Sequence, residues 1–252
     1  MTNQWWAEMA QRNREGMRAL RACLTAAGAE VDRGVFLAVA SAGGAARLSG
    51  NERATSFAET LVLPSLCGGV FRSQRAGANT QTRVRHRGTL LIALAGGGVS
   101  RAAKNSRITR PSAWAIAATT AVYAGLSQEL WRRGARADVY GASLRAGAWV
   151  TGCGLAAARA PKLLSAVAIA GAAAATTSTL AGADSLRRGQ PIATQGMSHG
   201  ANLLLAAEAV SLLRAVVCGE NRETAASRVL AAGECGVQAI GAMLLIDGLT
   251  RN

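Results

Sequence analysis

Leu163 to Ala183 is a run of 21 residues without a charged side chain. As a helix it rises roughly 30 Å, the thickness of a bilayer's hydrocarbon core. A chain that carries such a run either buries it inside a large soluble core or crosses a membrane with it. The pattern around it favours the membrane. Eight apolar stretches follow one another near residues 34–48, 57–71, 88–103, 113–131, 138–158, 162–183, 196–217 and 228–249. Arginine-containing boundaries separate them. Residues Pro111 to Gln128 are also free of charge, and only Glu208 and Arg214 are charged between Gly189 and Val217. The first three stretches have shorter charge-free cores, and the fifth contains Arg145.

Composition bears on the choice. The 252 residues include 56 alanines, 29 glycines and only four prolines, so elements are expected to be long helices packed closely through small side chains. A mean hydropathy of +0.18 is low for a polytopic membrane protein, although alanine-rich helices lower it without ceasing to span. The rival reading is a soluble alanine-rich helical protein that binds nucleic acid or partner chains. The net charge of +14 suits either reading. Its placement decides against nucleic acid. The 26 arginines lie scattered at segment boundaries, with no single stripe and no aromatic platform. The densest patch, Arg83, Arg85 and Arg87, reads as a short loop facing anionic headgroups.

With eight spans, 16 basic residues fall on the side of the termini and 11 on the other. The positive-inside rule then expects both termini in the cytoplasm of a protein integral to a bacterial plasma membrane. Residues 1–33 read as a separate basic, amphipathic N-terminal extension, in which Trp5, Trp6, Met9, Met17, Leu20 and Leu24 alternate with arginines. Such a segment suits a membrane interface or an ordinary solvated helix. Residues 34–252 form the membrane domain. The N-terminus carries charges throughout, unlike a signal peptide. Five cysteines far apart and two histidines, His86 and His199, offer neither zinc-ligand spacing nor a disulfide framework. No metal or other cofactor is expected.

The chemistry concentrates on Glu208, alone in the apolar segment "GANLLLAAEAVSLLR". An ionisable group at that depth costs at least ~2.5–3.5 kcal/mol, so it marks a functional site by default. His199, beside Ser198 and Gly200, reads as a polar helix-entry residue rather than a base. Gly96-Gly97-Gly98 is no phosphate loop, since no Lys-Ser/Thr follows in register, and suits close helix packing instead.

Segments in order along residues 34–250 resemble the YhhN/lysoplasmalogenase family of eight-helix membrane proteins. The pair Gly200-Ala201, then Ala207-Glu208 where the family has Ser-Asp, then Arg214, is similar to its seventh helix. "LLIALAGGGV" resembles the family's run ending in Gly-Asp-Val, with Gly97 and Val99 matching and Gly98 in place of the aspartate. Gln238 matches the family's Tyr-x-x-Ala-Gln helix, with Glu234 where the tyrosine stands. "ETLVLPSL" keeps Pro64 and Leu66 of a further motif and has Glu59-Thr60 at its Lys-Pro position.

The resemblance implies hydrolysis of the vinyl ether bond of lysoplasmalogens to a fatty aldehyde and a glycerophospho-base, with a membrane ether lysophospholipid as partner. That reaction needs a carboxylic acid to protonate the alkenyl carbon and a second carboxylate to stabilise the cation or activate water, the logic of glycosidase carboxyl pairs. Glu208 stands for one family carboxylate, and Gly98 cannot supply the other. Glu234 or Glu59 is then expected to compensate by facing Glu208. Gln238, Gly98 and Asn202, which follows the Gly-Ala pair directly, are the expected substrate contacts. Two alternatives stay open: a catalytically inactive relative that binds lipid or a partner protein in the membrane, and a purely structural pairing of Glu208 with an arginine such as Arg145.

Overall fold

The computed structural model describes residues 2–72, 88–98, 111–187, 189–219 and 224–251. Among them the chain is an all-α bundle without strands. Its long helices are α1 (Thr2–Ala29), α2 (Val31–Ser49), α3 (Glu52–Ser65), α6 (Ala113–Arg132), α7 (Val139–Arg159), α8 (Leu164–Ala181), α10 (Met197–Cys218) and α11 (Ala225–Thr250). Shorter helices are α4 (Cys67–Arg72), α5 (Gly88–Gly98) and α9 (Ile192–Gln195). Every apolar stretch expected from the sequence contributes a helix, the second being split into α3 and α4. The run at 83–87, like residues 99–103 of the third stretch, lies outside the described residues.

Local chemistry sets the helix ends. Gly50 closes α2 in the left-handed conformation (φ 73°), which costs glycine nothing. The next residue, Asn51, opens α3 by accepting the Ala54 N–H at 3.0 Å, so α2 and α3 form a tight antiparallel pair. Ser112 caps α6 through the Ala115 N–H at 3.2 Å. Asp138 caps α7 by accepting from Tyr140 and Gly141 at 3.1 and 2.8 Å. Pro64 lies in the last turn of α3, where its missing N–H leaves the Thr60 carbonyl without its helical partner.

Packing then follows the small residues. α10 and α11 run antiparallel with their backbones almost touching at Gly200 and Gly241. A Cβ on Gly200 would lie 2.7 Å from the Gly241 oxygen, and one on Gly241 would lie 2.8 Å from the Gly200 oxygen. The main core, which includes Phe36, Leu90, Leu130, Met197, Met243 and Leu245, fills the half of the bundle nearer the chain termini. A smaller cluster of Ala156, Leu163, Leu212 and Ala215 closes the far end. Between the two lies open space.

The end of α11 meets the junction of α1 and α2 at one end of the bundle. Arg33 bridges Glu30 at 2.8 Å and also pairs with Asp247, while Arg251 holds Asp247 at 3.2 Å and pairs with Glu30. Helix α1 docks at that same end through Gly16, Ala19 and Cys23. The His199 ring fills the notch over Gly16 and donates Nε2–H to the Arg12 carbonyl at 2.7 Å, so His199 joins two helices. Arg187 fixes the contact further by pairing with Glu15 at 3.3 Å.

Three segments are long and apolar enough to cross a membrane: Pro161–Ala181, Ile192–Cys218 and Ala225–Thr250. The other expected spans are helices that are shorter or less apolar. The 14 residues of α3 rise about 21 Å, and α7 carries Arg145. Exposed Trp114 and Trp131 sit at opposite ends of α6. Their 17-residue separation is about 25 Å of rise, the spacing of two interfacial aromatic anchors.

Candidate active site

The open space in the far half of the bundle is a cavity of about 310 Å³ bounded by α2, α3, α6, α7, α8, α10 and α11. Its walls are mostly apolar, from side chains such as Ile116, Leu155, Val167 and Leu205. Its polar groups are few and convergent: Arg47, Glu59, Glu208, Arg214, Glu234 and Gln238 all line it. Helical periodicity explains the arrangement. Leu205, Glu208 and Leu212 share one face of α10, and Glu234 and Gln238, four residues apart, share one face of α11. The Gly200–Gly241 crossing turns those two faces toward the same space.

Glu208 sits midway along α10 and accepts a hydrogen bond from the Tyr123 hydroxyl at 3.0 Å. Tyr123 is itself held from behind. The Thr177 hydroxyl donates to the Tyr123 carbonyl at 2.9 Å and meets Ser127 at 2.8 Å, tying α6 to α8 at this level. The other two carboxylates are engaged by arginines. Glu59, 1% exposed, pairs with Arg47 across the α2–α3 hairpin. Glu234 pairs with Arg214 at 3.2 Å across the α10–α11 contact. Each ion pair fixes the orientation of its carboxylate at the cavity wall.

A second, smaller chamber of about 40 Å³ adjoins the cavity on the side of the termini. Leu63, Leu94, Leu126, Leu204 and Leu245 surround it, and Glu208 and Gln238 border both spaces. Glu208 therefore stands at the boundary between a polar-lined cavity and an apolar recess. Trp149 forms part of the outer wall, its indole N–H shared between the Val167 and Ala168 carbonyls at 3.2 and 3.1 Å. Among the described residues no group of three or more His, Cys, Asp or Glu side chains is placed to hold a metal ion.

Four residues expected from the sequence, Glu208, Glu234, Glu59 and Gln238, thus come together from three helices. The other two do not join them. Asn202 lies toward the termini and accepts from Ser178 at 2.6 Å and Arg145 at 3.1 Å. Arg145 makes its remaining bonds to Ser178 and the Gly141 carbonyl, and among the described residues it forms no ion pair with Glu208. Gly98 is buried against α3 rather than facing the cavity.

The position of Gly98 has a specific cause. A Cβ there would lie 2.5 Å from the Thr60 carbonyl oxygen, the one Pro64 releases from the helix ladder, and 3.1 Å from the Pro64 ring. Only glycine allows α5 and α3 to approach this closely. Gly98→Asp, which restores the family's aspartate, meets that crowding directly. The Gly98→Asp protein should lose on the order of 3 kcal/mol of stability through forced separation of α3 and α5. Thermal unfolding in detergent measures it, and a midpoint equal to that of the parent chain contradicts it.

Arg47, Tyr123 and Trp149 are site residues that sequence reasoning passed over. Arg47 was legible: the Gly50-Asn51 turn predicts a hairpin, which brings Arg47 opposite Glu59. Tyr123, one of only two tyrosines in the chain, lies in a charge-free stretch whose helical phase places it inside, but nothing local aims it at Glu208.

Comparison of the chain with family models, curated proteins and solved structures returns no match.

Proposed function

We propose that this protein is a membrane hydrolase that cleaves the vinyl ether bond of a lysoplasmalogen. The observation that carries the reading is the convergence of Glu208, Glu59, Glu234 and Gln238 on one amphipathic cavity. The resemblance requires two cooperating carboxyl groups, and position 98 supplies none. Glu59 and Glu234 both line the cavity with Glu208, so the second carboxylate has two sources.

In this reading Glu208 is the acid. Oriented by the Tyr123 hydroxyl, its carboxyl group delivers a proton to the β-carbon of the alkenyl chain. The ether oxygen's lone pair then forms an oxocarbenium ion, which the carboxylates held by Arg47 and Arg214 stabilise. Water, oriented by the Gln238 amide, adds to the cationic carbon. The resulting hemiacetal collapses to aldehyde and glycerol hydroxyl, and a proton returns to Glu208. Release of a long-chain aldehyde from lysoplasmalogen by the purified protein tests the reading; failure to release any from this substrate sinks it.

A catalytically inactive relative that binds the lipid is the second reading. It is favoured by the ion pairs themselves, which already occupy Glu59 and Glu234. Lipid binding without aldehyde release selects it.

We propose that the protein resides in a bacterial plasma membrane with both termini cytoplasmic. Three apolar helices, exposed apolar side chains around the bundle and the Trp114–Trp131 spacing support a membrane position. Alkaline carbonate should leave the intact protein in the membrane pellet. Its appearance in the aqueous fraction would exclude this placement.

A further inference from the structure

Arg145 stands apart from the other half-buried arginines of the bundle. Arg47, Arg187 and Arg214 each pair with a carboxylate, whereas Arg145 is held by neutral groups. Its Nε donates to Ser178 Oγ at 2.7 Å, one Nη to the Gly141 carbonyl at 2.9 Å and the other to Asn202 Oδ1 at 3.1 Å. A guanidinium has five N–H groups, so two remain for another acceptor. One carboxylate, Asp138, acts on Arg145 through its charge, but its oxygens accept the Tyr140 and Gly141 N–H groups and make no ion pair with the guanidinium. A second cation, Arg12 of α1, is carried to the same end of α10, where its carbonyl accepts from His199 three residues before Asn202, and its side chain is exposed. Two arginines against the single carboxylate of Asp138 leave the site with a net positive charge.

Its depth and surroundings identify the counter-charge. Arg145 is six residues into α7, Asn202 five residues into α10 and Ser178 three residues from the end of α8. All three therefore lie about 4–9 Å from the end of the bundle that carries the termini. If the bundle spans a membrane, that is the level of headgroup phosphates. Beside Arg145 on α7, Tyr140 and Leu144 are 62% and 59% exposed, an apolar flank suited to an acyl chain.

We propose that Arg145, with Arg12 and with Ser178 and Asn202 orienting it, binds a phosphate group at the seam of α7, α8 and α10. The two free N–H groups match the paired oxygens of a phosphate monoester or diester. The group comes from a phospholipid headgroup or from free phosphate, and the site needs no chemistry at Glu208.

The test is thermal unfolding of the purified full chain in neutral detergent, titrated with dioleoylphosphatidylglycerol, dioleoylglycerol or sodium phosphate. The phospholipid should raise the midpoint while the phosphate-free dioleoylglycerol leaves it unchanged. An equal rise with sodium phosphate alone supports the phosphate site and assigns free phosphate as its source. Arg145→Gln should weaken the response about tenfold, and Arg145→Lys should restore part of it. Should Arg145→Gln not fold, Arg12→Gln on the exposed face of α1 carries the same test, with a loss of about threefold. Stabilisation by dioleoylglycerol equal to that by the phospholipid overturns the proposal, as does an undiminished response in the Arg145→Gln protein (or, where that does not fold, in Arg12→Gln). Because Glu208→Gln leaves this site intact, its phospholipid response should equal that of the parent chain. Failure of the hydrolase reading is thereby separable from failure of this one.

Discussion

Glu208→Gln protein releases aldehyde from lysoplasmalogen at a rate about 10²–10⁴-fold below the parent chain, the contribution of a positioned acid. The substitution is matched in shape. A glutamine oxygen still accepts from the Tyr123 hydroxyl, which sits at 3.0 Å, so the fold and the cavity wall stay as they are. What the amide cannot do is hand a proton to carbon. Tyr123→Phe, which removes the hydroxyl that orients Glu208, should cost less, about tenfold. Stopped assays of aldehyde release on both proteins, with thermal unfolding as the check on structure, give the comparison. If the Glu208→Gln protein turns over at the parental rate, Glu208 is not the acid and the alignment that chose it has no support. If Glu59→Gln or Glu234→Gln alone reproduces the loss, that residue is the second carboxylate.

The largest expected effect on folding is at Gly200. A Cβ there would meet Gly241 O and Leu245 N at 2.7 Å each and Leu244 Cβ at 3.0 Å. Two of these three are backbone atoms on α11, which cannot swing aside as a side-chain tip can. Even Gly200→Ala must push the helices apart, and Gly200→Leu must separate them by the width of a side chain. Overpacking in cores costs about 1–3 kcal/mol, and this contact belongs at or above the upper end. The faces of α10 and α11 that hold Glu208, Glu234 and Gln238 would move with it, so activity should fall together with stability. Gly236→Ala provides the control. It lies on α11 with nothing within 4 Å of the added methyl, and alanine there should stabilise the helix by up to ~1 kcal/mol. Equal unfolding midpoints for Gly200→Ala and Gly236→Ala would show that the α10–α11 contact is looser than described.

Much of the architecture was legible before any coordinates. Each apolar stretch read from the sequence contributes a helix, because runs of alanine and leucine leave the backbone no better hydrogen-bonding arrangement, and the one proline within them, Pro64, falls in a last turn. Boundaries at Gly50-Asn51, Ser112, Asp138 and Thr224 carry residue types that close or open helices, and they do so here. Glu208 stands out in the sequence because a lone carboxylate in an apolar helix is costly to bury, and it lines the cavity.

Partners were not legible, since nothing local encodes which helix faces which. Glu208 looked as ready to meet Arg145 as a second carboxylate. The two lie on helices whose phases turn Arg145 toward Ser178 and Asn202, while Tyr123 of α6 reaches Glu208. Gly98 looked like a lost catalytic position. In the bundle it is the point where α5 crosses the carbonyl that Pro64 sets free, a constraint from residues more than 30 positions away. Hydrophobic periodicity and capping act over a few residues, so the sequence by itself determined the helices, their ends and the isolated acid. Close approach through Gly98, Gly200 and Gly241, and with it the cavity that gathers Glu59, Glu208 and Glu234, depends on backbones that meet only when the whole bundle packs. Tertiary structure alone decided that.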